Sequence, residues 1–168
     1  MKNLHQFFYG GILLLVINSC SKDNGEAVQK KRAEEFKNLV TDKKFKLIDF
    51  YSDKPIDYIE NDQIIKAETD LRPYIKIYLN DDENLFNSDG SLKIYQNNIK
   101  YAGNDTSVLS RNFRVRWNAT EASMNFVDYF YFPQWYKLSE YSADYFTIYL
   151  DWHVGGAKIY SRFVRITP

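Results

Sequence analysis

The residues that could carry covalent or metal chemistry are few. The chain holds one cysteine, Cys20, and two histidines, His5 and His153, so it cannot assemble a Cys/His zinc site or an intramolecular disulfide. After Cys20 the chain has one histidine, so a Ser/His/Asp triad there would have to run through His153, whose alternation with Trp152 puts it on the opposite, solvated face of a strand. No Gly-x-Ser-x-Gly elbow or phosphate-cradling glycine loop occurs. Asn87-x-Asp89-Gly90 has part of the spacing of a calcium loop, but Leu85 stands at the first ligand position and Gln96 at the bidentate one. A hairpin turn accounts for it better. Asp128 and Asp151 are available for acid/base work, but no spacing specifies a reaction. The sequence therefore predicts no catalytic residue, no metal, no cofactor and no enzyme.

Two charges are more informative. Arg111 and Asp128 each interrupt an otherwise apolar alternation, where a charge without a partner is costly. They can pair as a buried or rim salt bridge, or reach solvent at strand ends, or anchor the polar head of a ligand. Trp117, Trp135, Tyr136 and Trp152 carry a matching ambiguity, since inward rings either fill an interior or line a cavity. These six residues form the candidate ligand-binding set.

The N-terminus reads as an address. Lys2 precedes the apolar run from Phe7 to Ile17, which has the length of a signal-peptide core and is too short to span a bilayer. With Ile17 three residues before the cysteine and Ser19 one before, the segment resembles the bacterial lipoprotein signal, although Asn18 departs from the usual small residue. The resemblance implies a signal peptide over 1–19, an acylated Cys20 with a tether over 20–27, and one domain over 28–168. Ser21-Lys22-Asp23-Asn24-Gly25-Glu26 is similar to the Lys/Asp-containing export signal of surface lipoproteins of Bacteroidota; a plain solvated linker is the alternative reading. That similarity implies a cell-envelope protein on the outer membrane, exposed at the surface. Two or more acyl chains would hold it firmly, because each buried methylene contributes about 0.8 kcal/mol.

Composition fits one domain. The 168 residues are 45% hydrophobic and 26% charged, with 22 Lys and Arg against 22 Asp and Glu, so no field gathers polyanions and no nucleic-acid partner is expected. Aromatic residues make up 17% of the chain against 7 glycines, which favours strands around a ring-rich core. The periodicity begins with helix formers over 26–40, with Val28, Phe36, Leu39 and Val40 able to share a face. A first strand follows, in which Phe45 and Leu47 alternate with lysines before the phase slips to Ile48 and Phe50, as a bulge produces. Residues 53–70, with Pro55, predict a long connection containing a weak strand near Ile64. Residues 70–80 alternate ambiguously; a helix capped by Thr69 or Asp70 and carrying Pro73 in its first turn is favoured over a strand.

The β region is clearer. Asp89-Gly90 between apolar runs signals a hairpin, and Leu109, Phe113, Val115 and Trp117 alternate with polar residues. Met124, Phe126, Phe130 and Phe132 share one face, Trp135–Tyr141 forms another strand, and Phe146, Ile148, Leu150, Trp152 and Val154 line a third. Gly155-Gly156 then turns the chain into a last strand over 158–166. The sequons at Asn104 and Asn118 read as loops. Antiparallel strands at this spacing suggest a closed meander barrel or a sandwich, and the barrel is preferred.

Short motifs carry a family resemblance. Lys44-Phe45-Lys46-Leu47-Ile48 is similar to the first-strand Trp-x-Leu signature of the calycin group, with Phe45 for Trp and Lys43 where a Gly is usual. Leu85-Phe86-Asn87-Ser88-Asp89-Gly90-Ser91 looks like the family's Phe-x-x-Asp-Gly hairpin, and Tyr160-Ser161-Arg162-Phe163 like its closing strand. Over most of residues 41–166 the chain resembles the lipocalin-like lipoproteins of Bacteroidota. The resemblance implies a mainly β, antiparallel up-and-down barrel with an N-terminal helix and a short helical insertion, binding a small hydrophobic or amphipathic ligand. The alternative is an envelope interaction module that meets protein or glycan through exposed rings such as Tyr129, Tyr131 and Tyr149.

Overall fold

The computed structural model describes residues 22–60, 63–74, 79, 81–99, 107–127, 133–152 and 155–167, with the side chains of 22, 23, 58–60, 63–65, 74, 126, 127 and 133 left aside. Helix α1 (Lys22–Val40) is followed by β1 (Lys43–Glu60), β2 (Gln63–Asp70), one 3-10 turn (Arg72–Tyr74), β3 (Glu83–Phe86) and β4 (Ser91–Tyr95). The remaining strands are β5 (Val108–Trp117), β6 (Ala122–Val127), β7 (Pro133–Tyr141), β8 (Tyr145–Asp151) and β9 (Lys158–Arg165). All pairings are antiparallel. Eight strands, β1 and β3 to β9, close through β1 against β9, while β2 rides on β1 alone. The chain is a closed, mainly β barrel with an N-terminal helix.

Closure depends on β1 keeping its apolar side inward. Leu47 pairs with Phe163 and Asp49 with Arg162, so a bulge lies between them. The slip visible at Leu47-Ile48 is this bulge: Phe45, Leu47 and Phe50 all reach the interior, and Asp49 and Tyr51 turn outward. At the β3–β4 hairpin, Gly90 adopts φ 83° and its N–H donates to the Asn87 carbonyl at 3.0 Å. Gly155 and Gly156, at φ 73° and 60°, make the β8–β9 turn that L side chains would resist.

Three sequence expectations change. Residues 53–70 are not a long connection, although the strand expected near Ile64 is there as β2: β1 continues through Pro55, and β2 pairs back on it with register shifts between Tyr51 and Ile56 and between Ile56 and Tyr58. Those irregularities accommodate a proline that cannot donate to the ladder. In 70–80 the described helical structure is the 3-10 turn Arg72–Tyr74, with Asp70 Oδ1 accepting the Arg72 N–H at 3.0 Å in the manner of a cap; residues 75–78 and 80 lie outside the described set. Helix α1 starts at Lys22, inside the expected tether. Its buried face is Ala33, Phe36 and Val40, whereas Val28 is 60% exposed. Spacings of three and four from Ala33 make that stripe, and Val28 falls off it.

The helix plugs one pole of the barrel. The β3–β4, β5–β6 and β7–β8 turns and the end of β9 all lie there, since the strands run up and down. Phe36 enters edge-on against Phe146 at 5.3 Å and Tyr141 at 5.8 Å, and Phe146 also meets Phe45, Phe86 and Phe163. Arg32 donates to the carbonyls of Leu138 and Ser139 at the irregular part of β7, which offers acceptors that a regular ladder would use. Rings thus fill this pole. Phe146→Ala is expected to lower unfolding free energy by about 3–5 kcal/mol, measured by urea denaturation, because its cavity would open amid rigid rings.

Candidate functional site

The other half of the interior is built differently. Along β3 and β4 the inward rungs begin with Phe86 opposite Leu92, continue with Asn84 opposite Ile94, and end one rung beyond the ladder with Asp82 and Gln96. Asp82 and Gln96 are 2% and 3% exposed. Strand pleating alone puts them on the inner wall, since each lies an even number of residues from a buried apolar neighbour. The Gln96 backbone N–H is anchored to the Ser107 carbonyl at 2.9 Å. Its side-chain Nε2 and Oε1 are both buried without a hydrogen-bond partner among the described residues, a state that costs roughly 1–3 kcal/mol.

Asp82 is the electrostatic centre of this pole. Burial, reinforced by neighbouring Asp81 and opposed by Lys46, raises its pKa from the ordinary 3.8 to about 7. Asp81 is held separately, its Oδ2 accepting the N–H groups of Asn98 at 2.8 Å and Ile99 at 3.1 Å. At neutral pH the site thus combines a carboxyl close to half-protonation with a carboxamide whose donors and acceptor have no partner among the described residues.

The sequence-derived candidates separate. Arg111 pairs in register with Leu92 and so lies on the inner face, half-buried, with Nη1 donating to the Ser110 carbonyl at 2.9 Å. Tyr136 is buried opposite Met124, and Trp152 packs at the distal pole against Ile56, Leu71, Ala157 and Ile159. Trp135 points outward, where the Arg116 guanidinium lies 3.6 Å from its ring centre. Trp117 stands at the helix pole, 38% exposed, with Lys30 Nζ 5.9 Å from its ring. Asp128, Tyr129, Tyr131, His153 and Cys20 lie outside the described residues. The structure therefore keeps Arg111, Tyr136 and Trp152 on the interior wall and removes Trp135 and Trp117 from its distal half.

Asp82 and Gln96 were missed by reading residue type alone. Asp81-Asp82-Glu83 looks like a solvated acidic run, and Gln96 stands out only as a failed calcium ligand. Counting back by twos from Phe86 and forward by twos from Ile94 would have found both.

Among the described residues no three His, Cys, Asp or Glu side chains gather to hold a metal ion, and no helix is long and apolar enough to cross a membrane. The fold and interior define the class as a small closed antiparallel barrel, ring-filled at one pole and mixed at the other, where Asp82 and Gln96 face the interior beside β3 and β4 and an apolar cluster of Ile56, Leu71, Ala157 and Ile159 lies beside β1 and β9. No family model matches the chain, and a search of curated proteins finds no match.

A pH dependence follows from Asp82. Its folded-state pKa lies above the unfolded value, so the folded state binds the proton more tightly. Stability from this group is greatest below pH 3.8, declines as pH rises toward about 7, and is flat above that. Comparing wild type with Asp82→Asn in thermal unfolding from pH 4 to 8 should show this component, with a slope of at most about 1.4 kcal/mol per pH unit, vanishing in the variant.

Proposed function

We propose that this protein is a lipid-anchored, non-catalytic, lipocalin-like binding protein of the bacterial outer membrane, whose barrel takes the polar head of a small amphipathic molecule at the pole opposite α1. The observation that carries the reading is the Gln96 carboxamide, buried on the inner wall beside Asp82 with no hydrogen-bond partner among the described residues. A folded chain keeps such a group at a stability cost when a bound molecule satisfies it. Arg111 and Tyr136, farther along the inner wall, would add polar contacts, and the apolar side chains of the distal pole, around Ile56, Ile159 and Trp152, would take the apolar portion.

Helix α1 supports the orientation. Its first residue, Lys22, is two residues after Cys20, so an acyl anchor there lies within about 7 Å of the helix start. Gly25 packs so closely on the β5–β6 turn that an added Cβ would stand 2.8 Å from the Ala119 carbonyl oxygen. An acyl anchor on Cys20 would then sit at the plugged pole, with the opposite pole directed away from the bilayer. In that arrangement ligand comes from the aqueous side.

Two measurements test this reading. Native mass spectrometry after incubation with envelope lipid extract should show one discrete retained mass on wild type. Gln96→Leu should lose that adduct and gain about 1–3 kcal/mol in unfolding free energy, because an unsatisfied polar group is replaced by apolar volume. Loss of stability in Gln96→Leu would instead make the carboxamide a structural group. For the anchor, Cys20→Ala should leave circular dichroism unchanged and move the protein from the membrane to the soluble fraction; retention with the envelope would refute lipidation.

A further inference from the structure

β1 leaves a gap along one edge. β3 pairs with Lys43–Lys46 and β2 begins its pairing at Tyr51, so residues 47–50 have neither strand beside them there; the Phe50 carbonyl accepts the Leu71 N–H at 3.0 Å. An open cleft of about 430 Å³ lies at this gap, lined by Ile48, Asp49, Tyr51, Thr69, Asp70 and Arg72. Its volume falls within the range of small-molecule sites. It opens on the outer face, where the bulge turns Asp49 and Tyr51, and reaches inward as far as the buried Ser52.

The lining is rigid and chemically mixed. One face of Tyr51 stacks on Tyr160 at 5.0 Å and 7°, and Tyr160 leans on Tyr149 at 5.4 Å, so the Tyr51 ring is fixed as a wall. Burial pushes the Tyr51 and Tyr160 hydroxyls above their ordinary pKa, which keeps them protonated donors. Asp49 uses one oxygen on the Phe50 N–H at 3.0 Å, and Asp70 uses one on the Arg72 N–H at 3.0 Å. The second oxygen of each carboxylate has no hydrogen-bond partner among the described residues. The exposed Arg72 guanidinium has no carboxylate within ion-pair distance among them either.

These groups select by exclusion. Two carboxylates against one guanidinium repel phosphates and other anions. A four-residue gap whose Phe50 carbonyl is already taken cannot add a peptide strand. One ring wall beside charged, water-accessible groups is a poor host for a wholly apolar molecule. A cation meets the Arg72 guanidinium as an anion meets the two carboxylates, so the ligand that all three groups can share is a neutral ring with an apolar face for Tyr51 and hydroxyls for Asp49, Asp70 and Arg72. We infer that the cleft between β2 and β3 is a binding site for a neutral pyranoside.

The test uses saturation-transfer NMR and calorimetry on the whole chain with methyl α-D-glucopyranoside, lactose and N,N′-diacetylchitobiose as probes. At least one should bind in the millimolar range, with saturation strongest on the C–H face of the sugar. Arg72→Ala, at an exposed position that leaves the strand ladders intact, should weaken binding by about tenfold, as should Tyr51→Leu, while Gln96→Leu leaves it unchanged. Three results overturn the proposal: no probe binding below about 10 mM, affinity unaltered in Arg72→Ala, or affinity lost in Gln96→Leu, which would place the sugar inside the barrel. The outcome is independent of whether the interior takes an amphipathic ligand.

Discussion

One strand has to satisfy three neighbours. β1 gives one edge to β9, from Phe45 to Ser52, and divides the other between β3 at its beginning and β2 beyond Tyr51. A regular strand could not do this and also keep Phe45, Leu47 and Phe50 inside. The bulge before Asp49 reconciles barrel closure with core burial, and it also turns Tyr51 outward onto Tyr160. The closed interior and the external cleft are therefore two results of the same extra residue.

Inside the barrel, a gradient of polarity replaces a uniform core. At the helix pole Phe36, Phe45, Phe86, Phe146 and Phe163 meet edge-on or stacked, and Phe36, Phe45, Phe86 and Phe146 are essentially inaccessible. Toward the opposite pole β3 and the end of β4 place Asn84, Asp82 and Gln96 on the inner wall, while Arg111 lies on the same rung as Leu92. Dense ring packing provides a rigid base, and rigidity is what lets costly polar groups persist beyond it: the strands that position Asp82 and Gln96 are held by Phe86 and Leu92 a few residues away.

Much of this was legible in the sequence wherever a local pattern and the global fold demand the same thing. Asp89-Gly90 and Gly155-Gly156 mark turns because backbone geometry leaves few other residues able to make them. The alternation in β5 and β8 marks strands because one side of each faces the core. Where tertiary pairing overrides composition, the pattern fails. Pro55 and the charges around it read as a loop, yet β2 supplies the partner that keeps β1 extended there. Trp135 and Tyr136 are adjacent aromatic residues, and which one points inward depends on the register with Asn125 and Met124. Asp82 and Gln96 stayed hidden for the opposite reason: residue type argued for solvent, while their phase argued for the interior.

The meeting of β1 and β9 brings both ends of the folded domain to one pole. The Ile166 N–H donates to the Lys44 carbonyl at 2.9 Å, a few residues from where α1 hands over to the sheet, and Asp42 bonds to Phe86 across the same end. Whatever is joined beyond Thr167 would emerge beside the helix plug, crowding neither the polar pole nor the β2–β3 cleft. Cargo inserted between Gly155 and Gly156 would project from the other extremity, beside the polar pole. The β1–β9 end of the domain thus offers a handle, and a reporter or a partner domain can be hung on it without covering the distal pole.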